Sequence, residues 1–167
     1  MSARRPPWTL VLLWTTGGGA LALFTGIAIW LAPLTPGALT LQLAFSPRAF
    51  GQIVHWWPPE HLARYRAHFA ADFVLLACYG AFGWLLASRT RLFARGSAAL
   101  RGWAAWALPL AALCNALQDI LHLWLTAAPR FGVPWVYPLA ALAACAKWVL
   151  LAAWAGSAAR ALLKADD

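Results

Sequence analysis

An all-α fold of four membrane-spanning helices is what this sequence predicts, and three observations predict it. Of its 167 residues 63% are apolar and 11% charged, against about 45–50% and about 25% in an ordinary soluble domain. Four stretches, roughly 9–33, 67–88, 103–127 and 134–157, each reach the ~20 mostly apolar residues that a helix needs to cross a bilayer core. No stretch alternates apolar and polar residues as a membrane barrel strand would. A soluble globular domain is excluded, and so is a disordered chain, which requires low hydrophobicity. Length then describes one polytopic transmembrane domain over 1–167, too short for a large transporter or a two-domain enzyme.

The first span follows Arg4 and Arg5 and contains Ala20-Leu21-Ala22, a pattern that imitates a signal peptide. Its apolar character continues to Ala32, too far for a cleaved segment, so it reads as an uncleaved helix. Within it, Gly17-Gly18-Gly19 would let a neighbouring helix approach closely in lipid. The 34–66 connection is more than a loop. Ser46-Pro47 is a helix-start signal, serine as cap and proline in the first turn. Phe50, Ile53, Val54 and Trp57 follow at i, i+3, i+4 and i+7, the spacing of a short amphipathic helix lying on the membrane surface. Trp56-Trp57 end it, where interfacial tryptophan is expected. Pro58-Pro59 then breaks the chain and starts a helix that runs straight into the second span.

Charge orients the bundle. The net charge of +8 would suggest nucleic acid in a soluble protein, but these basic residues flank apolar segments, and no nucleic-acid partner is expected. Arg89, Arg91, Arg95 and Arg101 fall in one acid-free stretch, with Arg4 and Arg5 at one end of the chain and Arg160 and Lys164 at the other. The positive-inside rule makes this side cytoplasmic. Both termini then lie in the cytoplasm of a bacterial inner membrane, and 34–66 faces out despite Arg48, Arg64 and Arg66. Cys78, Cys114 and Cys145 are single and lie in apolar runs, with no C-x-x-C among them. They read as small hydrophobes.

Two acids and their neighbours do not fit a plain bundle. His61, Tyr65, His68, Asp72 and Tyr79 recur at steps of four, three, four and seven, which is one helical face. The third span carries Asn115, Gln118, Asp119 and His122 at three- and four-residue steps. At about 1.5 Å per residue, Asp72 sits roughly 8 Å and Asp119 roughly 12 Å below the outer boundary, so the stripes match in depth. Lys147 lies near the middle of the fourth span, where a lysine is costly unless paired. By depth its candidate partners are Asn115 and Asp119, and snorkelling to the inner surface is too long a reach. For Asp72, His68 or Arg66 is the candidate partner. The expected site is thus His68, Asp72, Asn115, Gln118, Asp119, His122 and Lys147, with His61, Tyr65 and Arg66 at an outer mouth.

Several chemistries fit such a cluster. His68/Asp72 and Asp119/His122 have one-face spacings that could hold a metal, although the Glu-x-x-His pairs of di-iron bundles are missing. His68 and His122 facing each other could hold a haem, for which nothing else in the sequence speaks. A proton or small-ligand site needs only the groups and a water-accessible mouth. Polar residues between membrane helices also simply hold helices together, at about 0.6 kcal/mol per hydrogen bond.

Phe45-Ser46-Pro47, Tyr65, Asp72, the Asn115–Asp119 stretch and Lys147 together resemble a group of small four-helix bacterial membrane proteins. In that group the third span often carries D-x-x-E-N. The matching positions are Asn115-Ala116-Leu117-Gln118-Asp119, which keep polarity but lose the acid at the first and fourth places. The resemblance implies the fold and no activity. The translocator family is similar in size and tryptophan content, but its five spans do not fit four.

Two functional classes follow. One is a membrane protein handling a small molecule, lipid or proton at the outward-facing cluster. The other is a non-catalytic accessory subunit of a larger respiratory or photosynthetic complex, or a homo-oligomer, in which many of the 12 tryptophans are packing and lipid-facing surface. Trp84, Trp106, Trp124, Trp148 and Trp154 cannot all lie at headgroup level.

Overall fold

The computed structural model describes residues 7–128, 130 and 132–163. Arg4, Arg5 and Lys164, used above for orientation, lie outside the described residues. Six helices follow in order: α1 (Pro7–Leu31), α2 (Ala38–Gln42), α3 (Pro47–Trp56), α4 (Pro59–Arg89), α5 (Ala98–Leu125) and α6 (Val136–Leu163). No strand occurs among the described residues. Helices α1, α4, α5 and α6 are long and apolar enough to cross a membrane, and the chain is a multi-pass, all-α membrane protein.

The local signals explain most boundaries. Ser46 caps α3, its Oγ accepting from the Ala49 N–H at 3.2 Å. Pro59 in the first turn of α4 lacks only an N–H that no helix would use there, and the helix then runs unbroken for 31 residues. Ser97 caps α5 by accepting from Leu100 N–H at 3.2 Å. Helix α5 continues through Pro109, and close by, Trp154 Nε1 donates to the Ala104 carbonyl at 3.0 Å, fastening α6 to it. The five-residue α2 has no signal in the sequence beyond a brief apolar run, and it was not foreseen.

The spans pack in sequence: α1 on α4, α4 on α5, α5 on α6. Helices α6 and α1 scarcely touch, so the bundle is an arc rather than a closed ring. Gly80 and Gly83 let α5 come close to α4. A Cβ at Gly80 would lie 3.5 Å from Ala112 Cβ, and one at Gly83 would strike Leu108 Cβ at 2.6 Å. Helix α1 is held more lightly. Gly17 seats the Phe82 ring, and Gly19 faces Cys78 Sγ, whereas Gly18 has open space beside it. At the α3 end, Trp30 Nε1 donates to the Arg64 carbonyl and Arg64 Nη1 donates back to the Trp30 carbonyl, both at 3.0 Å.

Helix α3 turns its apolar face onto this end of the bundle rather than leaving it to lipid. Phe50, Ile53 and Trp57 bury against Tyr65, Phe69, Leu125 and Tyr137. The Trp56-Trp57 pair splits. Trp56 is 75% exposed, while Trp57 is 5% exposed and its Nε1 donates to the Pro36 carbonyl at 2.9 Å. The reason is periodicity: Phe50, Ile53 and Trp57 share one helical stripe, and Trp56 lies about 100° away from Trp57.

Candidate functional site

The stripes on α4 and α5 face each other. His68, Asp72, Asn115, Gln118, Asp119, His122 and Lys147 are all buried. They fall into two connected groups. In the first, Lys147 Nζ donates to Asn115 Oδ1 at 2.6 Å, Gln118 Oε1 at 2.8 Å and, more weakly, Gln42 Oε1 at 3.3 Å. Asn115 Nδ2 passes the polarity on, donating to Asp72 Oδ2 at 2.8 Å. One amide thus links the ammonium on α6 to the carboxylate on α4. Its two ends serve opposite roles, because an amide oxygen only accepts and its NH2 only donates.

The second group lies towards α3. Tyr65 Oη and His122 Nδ1 are 2.6 Å apart. His68 Nδ1 bonds the Tyr65 carbonyl, so that nitrogen carries the hydrogen and Nε2 is the acceptor of the neutral ring. Phe50 stands edge-on to His122 with centroids 5.3 Å apart, and Trp57 packs on Tyr65 at 5.1 Å. An aromatic layer therefore closes the α3 end above the polar residues.

This layer corrects the expected outer mouth. Tyr65 has no exposed surface at all and belongs to the seal. Arg66 ties α4 to the end of α5, its Nη1 donating to the Leu123 carbonyl at 3.0 Å and Thr126 Oγ1 at 2.8 Å. His61 is half-buried, and its Nδ1 is buried with no hydrogen-bond partner. The access lies to the side instead. A cleft of about 690 Å³ opens along the unpacked flank between α1 and α6, and His68, Asp72, Tyr79, Asn115 and Lys147 form part of its wall. Sequence spacing showed which faces were polar, but not that two helices would fail to meet.

The pairings also differ from those expected. Lys147 does pair, with Asn115 as foreseen, yet with amide oxygens throughout rather than with Asp119. Asp72 takes its bond from Asn115, not from His68 or Arg66. Asp119 is 1% exposed, and neither carboxylate oxygen meets a donor. Gln42 was missed, because α2 itself was missed; a lone glutamine in an apolar connection gives no periodic signal.

Among the described residues no three His, Cys, Asp or Glu side chains gather around one point. His68 and His122 both pack on the Tyr65 ring, with centroids 4.9 and 6.1 Å away. No protein-family model, curated protein or solved structure matches this chain.

Proposed function

We propose that the chain is a small protein of the bacterial inner membrane, both termini cytoplasmic, that handles a small molecule, lipid or proton at its intramembrane polar cluster. One observation carries this reading: Lys147 is 5% exposed in the middle of a spanning helix, with amide oxygens as its partners. A lysine at the centre of a spanning helix costs about 2.5–3.5 kcal/mol. Hydrogen bonds between membrane helices average about 0.6 kcal/mol, so three of them do not offset that cost. Methionine would hold α6 more cheaply, and a residue kept against stability is expected to serve chemistry. The orientation rests on Arg89, Arg91, Arg95, Arg101 and Arg160, all at one end of the bundle.

A second reading has one observation in its favour. Helix α1 is gripped chiefly by α4 and leaves a flank uncovered, as expected of an accessory subunit whose partner helix completes the bundle. Native mass measurement of the gently extracted protein separates the two. The first reading expects a chain running alone or as a small oligomer and carrying a small molecule. Comigration with a large assembly, with nothing small bound, would overturn it. Orientation is checked in a chain freed of its three cysteines, by labelling Glu60→Cys and Arg91→Cys from outside intact cells. Labelling at 60 and not at 91 is expected, and the reverse would invert the topology.

A further inference from the structure

The cleft between α1 and α6 has a polar end and an apolar end. At the polar end stand His68, Asp72, Asn115 and Lys147. From Lys147 the wall continues along α6 to Leu151, Trp154 and Ala155, eight residues or about 12 Å of helix. The facing wall on α1 is wholly apolar, from Gly17 to Leu31. Its volume of about 690 Å³ falls within the roughly 300–1,000 Å³ of small-molecule sites. Because the opening is lateral, between two spanning helices, a ligand enters from the lipid phase.

The hydrogen-bonding inventory selects the head of that ligand. Lys147 has three protons and three amide acceptors, so it has no hydrogen left for a ligand. Asp72 uses Oδ2 for Asn115, and its other oxygen remains an acceptor. His68 holds its hydrogen on Nδ1 for the Tyr65 carbonyl, which makes Nε2 an acceptor. Tyr79 Oη is buried and without a partner, two helical turns further along the same cleft wall. Gln42, also in this wall, keeps its NH2 as a donor, so the polar end offers donors and acceptors together, which a hydroxyl satisfies and a carboxylate, facing the Asp72 carboxyl, does not. Resting on the reading of the cluster as a small-molecule site, we infer that the cleft binds a membrane-dissolved amphiphile with an uncharged, hydrogen-donating hydroxyl head, a long-chain isoprenoid alcohol or a quinol. The hydroxyl lies against Asp72 and His68, and the tail runs between α1 and α6 past Leu151 to Trp154.

The test uses the full chain in lipid nanodiscs, with geranylgeraniol, decylubiquinol and palmitate as probes and native mass spectrometry as readout. One equivalent of the alcohol or the quinol is expected per chain, and whichever arm binds names the source of the hydroxyl. Palmitate, with the same kind of tail and a carboxylate head, is expected to bind at least about tenfold more weakly. Asp72→Asn is expected to weaken binding about tenfold, the loss of one hydrogen bond to a charged group. Because Asp72→Asn could disturb folding, Leu151→Trp serves as the second variant: it fills the tail path, leaves every polar residue in place, and is expected to abolish binding. Palmitate binding as well as the alcohols, or Leu151→Trp binding unchanged, overturns the inference. If the extracted protein carries another small molecule that neither hydroxyl probe displaces, the inference falls while the general reading of the cluster stands. A chain that holds no small molecule of any kind removes both.

Discussion

The α4–α5 seam and the α1–α6 flank are built from similar apolar helices, yet one is closed and the other open. At the closed seam, Gly80 and Gly83 bring the backbones together, and Asn115–Asp72 and Tyr65–His122 bond across it. In lipid no hydrophobic force separates a helix–helix contact from a helix–lipid one. Close packing over small residues and polar bonds therefore decides which helices associate. Helix α1 has its glycines turned to α4 or left in the open and offers α6 no polar side chain from Gly17 to Leu31 beyond Thr25. Association follows from what a face can bond and how near it can come, not from how apolar it is.

The largest expected effect tests closeness. Gly83→Val places atoms where Leu108 Cβ and Cδ1 now lie, and overpacking of this kind costs about 1–3 kcal/mol. Gly18→Val, with nothing within 4 Å of its added Cβ, is expected to stay within ~0.5 kcal/mol of the parent. Thermal unfolding in detergent compares them, and equal losses would mean that small residues do not set the seam.

Next comes the polar link between α6 and α5. A double-mutant cycle on Lys147→Met and Asn115→Leu is expected to give a coupling of about 1–2 kcal/mol, the upper range for hydrogen bonds within membranes. The cycle of Lys147→Met with Asp119→Asn is expected to give less, because Asp119 accepts no bond from Lys147. A larger coupling to Asp119 would restore the ion pair that the sequence suggested.

The smallest effect separates two tyrosines on one helix. Tyr65→Phe removes the 2.6 Å bond to His122 and leaves a buried imidazole nitrogen unpaired, at a cost of about 1 kcal/mol. Tyr79→Phe removes a hydroxyl that has no partner in the protein, so stability is expected to hold or rise slightly. Denaturant titration of the two variants checks this, and a loss at Tyr79 equal to that at Tyr65 would mean that the cleft tyrosine already has a structural bond.

What the sequence determined by itself was everything that rests on period and solvent. Four long apolar segments, the serine and proline signals at α3 and α4, and the two polar stripes follow from the fixed 3.6-residue repeat and from the cost of exposing charge to lipid. That cost also places Asp72, Asp119 and Lys147 in the interior before any neighbour is known. Only tertiary structure decided who meets whom. Gln42 reaches Lys147 because α2 packs beside α6, and Tyr65 became a seal because α3 folds Phe50 and Trp57 down over it. The cleft exists because α1 and α6 do not close. Helical spacing says which face of a segment is polar, but the rotation of one helix against another is set by packing between residues far apart in the chain, such as Gly83 against Leu108, and no local pattern encodes that distance.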